Sequence, residues 1–208
     1  AGEALDGGMR DPLLRLMLWG NIAQMVRDRE ISPVQALGYA FKALASEEES
    51  MLLSIVLGRH GSVREQYLHF LTLAQRQVLA PRWEKLIGDR LARGDDKLAL
   101  TYLDFYIAIA QTSEGLGRLR TFLSEDNAPG AATLGPERRW AIITQLARHG
   151  DARAPGLIAA QEKRDPSTAG VRAAYAARVS IPLIDHKQKH WKEFQAPEKL
   201  GMELFEGA

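Results

Sequence analysis

The sequence predicts an all-α protein built as an irregular array of helix hairpins, and three observations carry that prediction. Ala and Leu together supply 57 of the 208 residues, whereas Val, Ile and Thr together supply 25, a balance that favours helices and starves strands. Asp or Ser followed by Pro recurs ahead of apolar runs with 3.6-residue spacing, the mark of a helix start. A short helix ending recurs as well, beginning at Leu57, Leu91 and Leu146 and running through a basic residue to Gly and then Ser or Asp. There the cation complements the negative helix end, Gly can take the left-handed position, and Ser or Asp can cap the next helix. The unequal spacing of the three endings argues against a strict repeat.

Taken in order, the helices are expected near 11–29, 32–45, 47–58, 63–79, 81–93, 96–111, 113–124, 136–148, 152–164, 167–179 and 182–195, with a last candidate at 197–206. Asp11-Pro12 and Ser32-Pro33 open the first two. Ser46 with Glu49, and Ser62 with Glu65, have capping-box spacing and open the next two. The first helix carries Leu13, Leu14, Leu16, Met17, Leu18, Trp19, Ile22, Met25 and Val26, so it is apolar nearly all round and is expected to be sandwiched between neighbours. Val63, Tyr67, Phe70, Leu71, Ala74 and Val78 form one predicted buried stripe, and Leu98, Tyr102, Phe105 and Ile109 another. The Gly-rich first ten residues read as a flexible segment, and 11–208 as a single helical-repeat domain interrupted by a turn-rich loop at 125–135.

Composition removes several classes of function. Lys plus Arg is 27 against 26 for Asp plus Glu, and no basic cluster compensates, so nucleic acid is not an expected partner. With no cysteine, disulfides, thiolate metal sites and Cys nucleophiles are out. Leu16 to Val26 is a charge-free run of 11 residues and none is longer, against about 20 for a bilayer span. The start of the chain has neither the basic segment nor the apolar stretch of a signal peptide. The expectation is a soluble, cytoplasmic chain without a membrane partner, and the missing Met suggests a piece of something longer.

The chemical candidates reduce to structural roles. His60 and His149 sit in the helix-ending motif, and His69 neighbours the first stripe as a partly buried spacer. His186 and His190 are four apart, the spacing of zinc peptidases. The residues between them are Lys187, Gln188 and Lys189, with no Glu to act as general base and two ammonium groups opposing a dication. They therefore read as an exposed amphipathic face. No phosphate loop or nucleophile elbow occurs. The carboxylate pairs Asp95-Asp96 and Glu125-Asp126 fall at helix ends, where capping explains them. Trp140, after Arg138 and Arg139, is in phase with Ile143 and Ala147 and reads as core. No catalytic, cofactor-binding or metal residue is assigned, and substrate-contacting residues stay unassigned.

Particular segments add a resemblance. The run from Asp11 to Glu30, with Asp11, Pro12, Trp19, Met25, Arg27, Asp28 and Glu30, is similar to the helix that opens the C-terminal helical region of bacterial aminopeptidase N, in the M1 zinc metallopeptidases. Further matches follow in order: Glu137 to Trp140 (ERRW), Leu146 to Gly150 (LARHG), Lys163 to Ala174 (KRDPSTAGVRAA), and Lys187 with Trp191. The resemblance spans roughly Asp11 to Trp191.

It implies a right-handed α-α superhelix of ARM- or HEAT-like hairpins that packs on a catalytic domain, encloses the substrate chamber and limits peptide access. The catalytic domain and peptides are then the partners, and self-association of the isolated piece is expected from the uncovered docking surface. Zinc and the His-Glu-x-x-His motif belong to the upstream domain, and neither that motif nor the Gly-x-Met-Glu-Asn loop occurs here. The chain is thus expected to be no enzyme alone and to carry no cofactor. The alternative is a free-standing helical-repeat scaffold that binds a protein or peptide on its concave face.

Overall fold

The computed structural model describes residues 9–58, 60–93, 96–129 and 133–195. The first eight residues, the Gly94 ending, the Asp95-Asp96 carboxylates and the helix expected at 197–206 lie outside the described residues. Among the described residues the fold is all-α, with no β-strand. The chain divides into two compact units, one of residues 1–112 with 128–132, the other of residues 113–127 with 133–208.

In the first unit, α1 (Pro12–Arg27) and α2 (Pro33–Ser46) start where expected. Asp11 accepts from the Leu13 amide at 2.8 Å and Ser32 from the Gln35 amide at 3.1 Å, each with Pro in the first turn. The two predicted capping boxes do not form. Ser46 ends α2 instead, and Glu49 itself caps α3 (Ser50–Leu57). Gly61, with no side-chain oxygen, precedes α4 (Ser62–Glu65). Gly58 and Gly61 are not left-handed either. Their φ angles are −57° and −72°, and a Cβ on Gly61 would lie 2.2 Å from the Val56 carbonyl oxygen, so glycine is required for close approach. The left-handed ending appears at Gly150, φ 72°.

The largest departure concerns 63–93. α4 passes into a π-helical turn, Gln66–Phe70, and the chain then breaks before α5 (Leu73–Ala92). Thr72 and Gln75 make a reciprocal capping box that starts α5. The stripe therefore ends at Leu71: Val63, Tyr67 and Leu71 are buried, whereas Phe70, Ala74 and Val78 are exposed. Pro81, expected to start a helix, lies inside α5. It removes one helical hydrogen bond, but burial of Ala80, Trp83, Ile87 and Leu91 beside it offsets that loss. α6 (Asp96–Ile109) packs along α5, with Leu98, Tyr102, Phe105 and Ile109 all buried as a stripe. Trp83 is the hub, with ring centroids of Phe41, Tyr67 and Phe105 at 5.7, 6.0 and 6.1 Å. α1 is not sandwiched. Trp19, Ile22 and Val26 are buried, while Leu13, Leu14 and Met17 face outward.

The second unit comprises α7 (Ser113–Glu125), α8 (Pro136–Arg148), α9 (Ala154–Arg164), α10 (Thr168–Ser180) and α11 (Ile184–Phe194). α8 is central, packed by α7, α9 and α10, and α11 lies against α10. Small residues contribute to this unit's core: Ala147, Ala174 and Ala177 are fully buried.

Candidate functional site

Two of the segments that carry the resemblance, Glu137 to Trp140 and Lys163 to Ala174, meet in the second unit on one polar cluster. Trp140, buried in α8, donates its indole N–H to Asp165 at 2.9 Å. Asp165 also accepts from the Ser167 hydroxyl at 2.6 Å, and Ser167 caps α10 through the Gly170 amide. A Cβ on Gly170 would sit 2.2 Å from the Asp165 carbonyl oxygen, so this turn needs glycine there. Hydrogen bonds from Ser167 and Trp140 hold the Asp165 carboxyl below the usual range. Beside it, Asp126, at a φ of 53°, accepts from Arg164 at 2.7 Å and Arg139 at 2.6 Å. These two bonds keep its carboxyl low as well. Arg139 also donates to Gln161 at 2.9 Å.

The Leu146-to-Gly150 motif is a turn. After it, Asp151 accepts from the Arg153 amide at 2.9 Å and pairs with Arg120 at 3.5 Å. Burial pushes its carboxyl up, but these bonds and charges outweigh burial and leave it low. Glu125 ends α7 as expected, whereas Asp126 does more than cap, since it bridges α8 and α9.

The opening motif plays the same kind of part in the first unit. Trp19 is core, Arg27 pairs with Glu65 at 3.6 Å, and Asp28 receives the Gln24 amide at 3.0 Å. A second buried polar knot was missed in the sequence. Glu84, 5% exposed, accepts from the Gln111 and Thr112 amides at 2.7 and 2.9 Å and from the Thr112 hydroxyl. A lone Glu within a helix announces nothing of the kind, because its partners lie 27 and 28 residues on.

Two histidine readings need correction. His69 is exposed, because the π-helical turn rotates it off the stripe. His190 is buried, not part of an exposed face: its Nδ1 lies 2.7 Å from Glu193 and its ring stands edge-on to Tyr175 at 5.3 Å. Tyr175 donates to the same Glu193 oxygen at 3.0 Å. Burial pushes the Glu193 carboxyl up, but the His190 and Tyr175 bonds outweigh it and leave it low, while burial and Glu193 push Tyr175 up to about 12. His186 is half-buried, and His60 and His149 are exposed. His190 is thus committed to Glu193, which fits packing better than metal ligation. Among the described residues no three His, Asp or Glu side chains are grouped to hold a metal.

Two concavities stand out. One, of about 530 Å³, is lined in the first unit by Arg10, Arg15, Glu47, Glu48 and Glu49 with apolar neighbours; Arg15 and Glu47 are already paired there at 2.9 Å. The other, about 450 Å³ and largely apolar, lies on α11 between Val179, Lys187, His190, Trp191 and Phe194.

Comparison with known families decides the kinship. The profile of the ERAP1-like C-terminal domain matches residues 2–200. The chain belongs to that family. Aminopeptidase N of Streptomyces lividans is 27% identical over 197 residues, covering 93% of this chain and 22% of the relative. The chain therefore spans about a fifth of that enzyme's length. In the ERAP1-like domain seen here, the matched motifs work as helix caps, turns and interhelical ties. No described helix is long and apolar enough to cross a membrane.

Proposed function

We propose that this chain is the non-catalytic helical part of an M1-type aminopeptidase, where it packs on the zinc catalytic domain, encloses the substrate chamber and limits peptide access. The observation that carries the reading is the family match across nearly the whole chain, joined to a relative named Aminopeptidase N of which it spans 22%. On this reading both compact units belong to one domain, a right-handed superhelix of hairpins, and the zinc and the peptide-bond chemistry belong to the rest of the enzyme. Its setting is the cytoplasm and its partners are the catalytic domain and peptide substrates. The contribution is geometric: a confined chamber admits short or unfolded peptides and turns away folded proteins.

The test uses the full-length enzyme and a variant lacking this region, assayed on peptides of increasing length, with a single-residue reporter and bound zinc as controls for an intact active site. The expected result is altered length preference with the reporter still cleaved. Unchanged preference in a variant that keeps its zinc would sink the reading and favour a free-standing binding scaffold.

A further inference from the structure

His190 is 5% exposed, yet only one of its two ring nitrogens is used. Nδ1 lies 2.7 Å from a Glu193 oxygen that also takes the Tyr175 hydroxyl at 3.0 Å. Burial opposes the charge on Glu193, but these bonds outweigh it and leave the carboxyl low. Glu193 is thus a carboxylate that only accepts, and Nδ1 must be the donor. That fixes the tautomer: in the neutral ring the proton sits on Nδ1, and Nε2 keeps a bare lone pair. The Tyr175 ring, edge-on at 5.3 Å, holds the imidazole in place. Nε2 has no bond among the described residues. An unpaired acceptor on a buried side chain is costly, and the surroundings of His190 say what can pair with it.

His190 lines the groove of about 450 Å³ on α11. Lys187, His190, Trp191 and Phe194 are spaced i, i+3, i+4 and i+7 and share one helix face, and Val179 adds to the lining from α10. The lining is largely apolar, so the occupant must be apolar over most of its surface. Trp191 is 64% exposed, and with Phe194 it offers ring surface on which another ring can stack or stand edge-on. Charge narrows the choice. Lys187 is in the same lining, with one of its donors on the Val179 carbonyl at 2.6 Å, and an ammonium there repels a cation. A group that only accepts would set lone pair against lone pair at Nε2. What fits is a neutral aromatic ring with one hydroxyl donor on its edge.

We propose that this groove binds a neutral phenol, its O–H donating to His190 Nε2 and its ring lying against Trp191 and Phe194. Glu193 and Tyr175 are positioning residues, which hold the imidazole and its tautomer without touching the ligand. The chemistry is the same for a free phenol and for a tyrosine side chain on a peptide.

The test is an NMR titration of the 208-residue chain with p-cresol, read at the histidine ring nitrogens. Before addition, His190 should carry its proton on Nδ1, and p-cresol should shift Nε2. The methyl ether p-methylanisole, the same ring without a donor, should bind about tenfold more weakly. Trp191→Ala, at an exposed position that leaves the core intact, should weaken p-cresol about fivefold. N-acetyltyrosinamide separates the sources: tighter binding than p-cresol assigns the site to a peptide's tyrosine, and weaker binding assigns it to a free phenol. A proton on Nε2 in the free chain, no shift at His190, or equal binding of p-cresol and its ether would overturn the proposal.

Discussion

Trp83 in the first unit and Trp140 in the second are both buried, yet they are held differently. Trp83 meets three aromatic rings, Phe41, Tyr67 and Phe105, in a core that also buries Tyr106, Leu53 and Ile87. Trp140 donates to Asp165 in a cluster of carboxylates and guanidiniums. Among the described residues, the four carboxyls held below their ordinary values, Asp126, Asp151, Asp165 and Glu193, all belong to the second unit. The first unit is secured mainly by apolar and aromatic burial, joined by the Glu84 knot and the Arg15–Glu47 pair. The second adds carboxyls that their hydrogen bonds and neighbouring charges hold low.

Truncating the aromatic hub should have the largest effect. Trp83→Ala removes all three ring contacts and should cost about 4 kcal/mol in chemical denaturation, typical of a buried Trp deletion. A loss under about 1 kcal/mol would mean that the hub is not central. Glu84→Ala strands the Gln111 and Thr112 donors and should cost about 3 kcal/mol, with Glu84→Gln costing less because it retains an acceptor. Trp140→Phe keeps most of the ring but leaves Asp165 one donor short, for about 1 kcal/mol; its midpoint should also become less acid-sensitive. The smallest effect is a gain. Gln66 is 2% exposed and neither amide atom has a partner among the described residues, so Gln66→Met should add about 1 kcal/mol. A destabilised Gln66→Met chain would show that the amide makes a useful bond there.

What the sequence made legible was local. Asp11-Pro12 and Ser32-Pro33 are starts whose donor and acceptor lie within three residues, and Leu98 to Ile109 is a stripe on one uninterrupted helix. The break before α5 was hidden because Leu71-Thr72-Leu73 keeps the apolar rhythm while Pro81 offers a stronger but false punctuation mark. The buried state of His190 depends on Tyr175, on another helix, and the role of Asp165 on Trp140, 25 residues earlier. Such partners are set by packing, which spacing along one helix does not encode. The candidate cluster was accordingly half visible: its residues stood out as a resemblance, and their work as interhelical ties emerged only in the fold.

The contrast between the two units has a direct pH signature. Each of the four carboxyls binds its proton more weakly in the folded chain than at its ordinary value of 3.8 for Asp or 4.5 for Glu. The stability they contribute is therefore complete above those values and is lost as the pH falls through the lower native ones. Hydrogen exchange read by mass spectrometry, stepped from neutral pH to about pH 3 and corrected for intrinsic rates, follows both units in one sample. The account predicts that amides of α8, α9 and α10 lose protection first, while α5 and α6 around Trp83 stay protected. Earlier or simultaneous loss in α5 and α6 would contradict it.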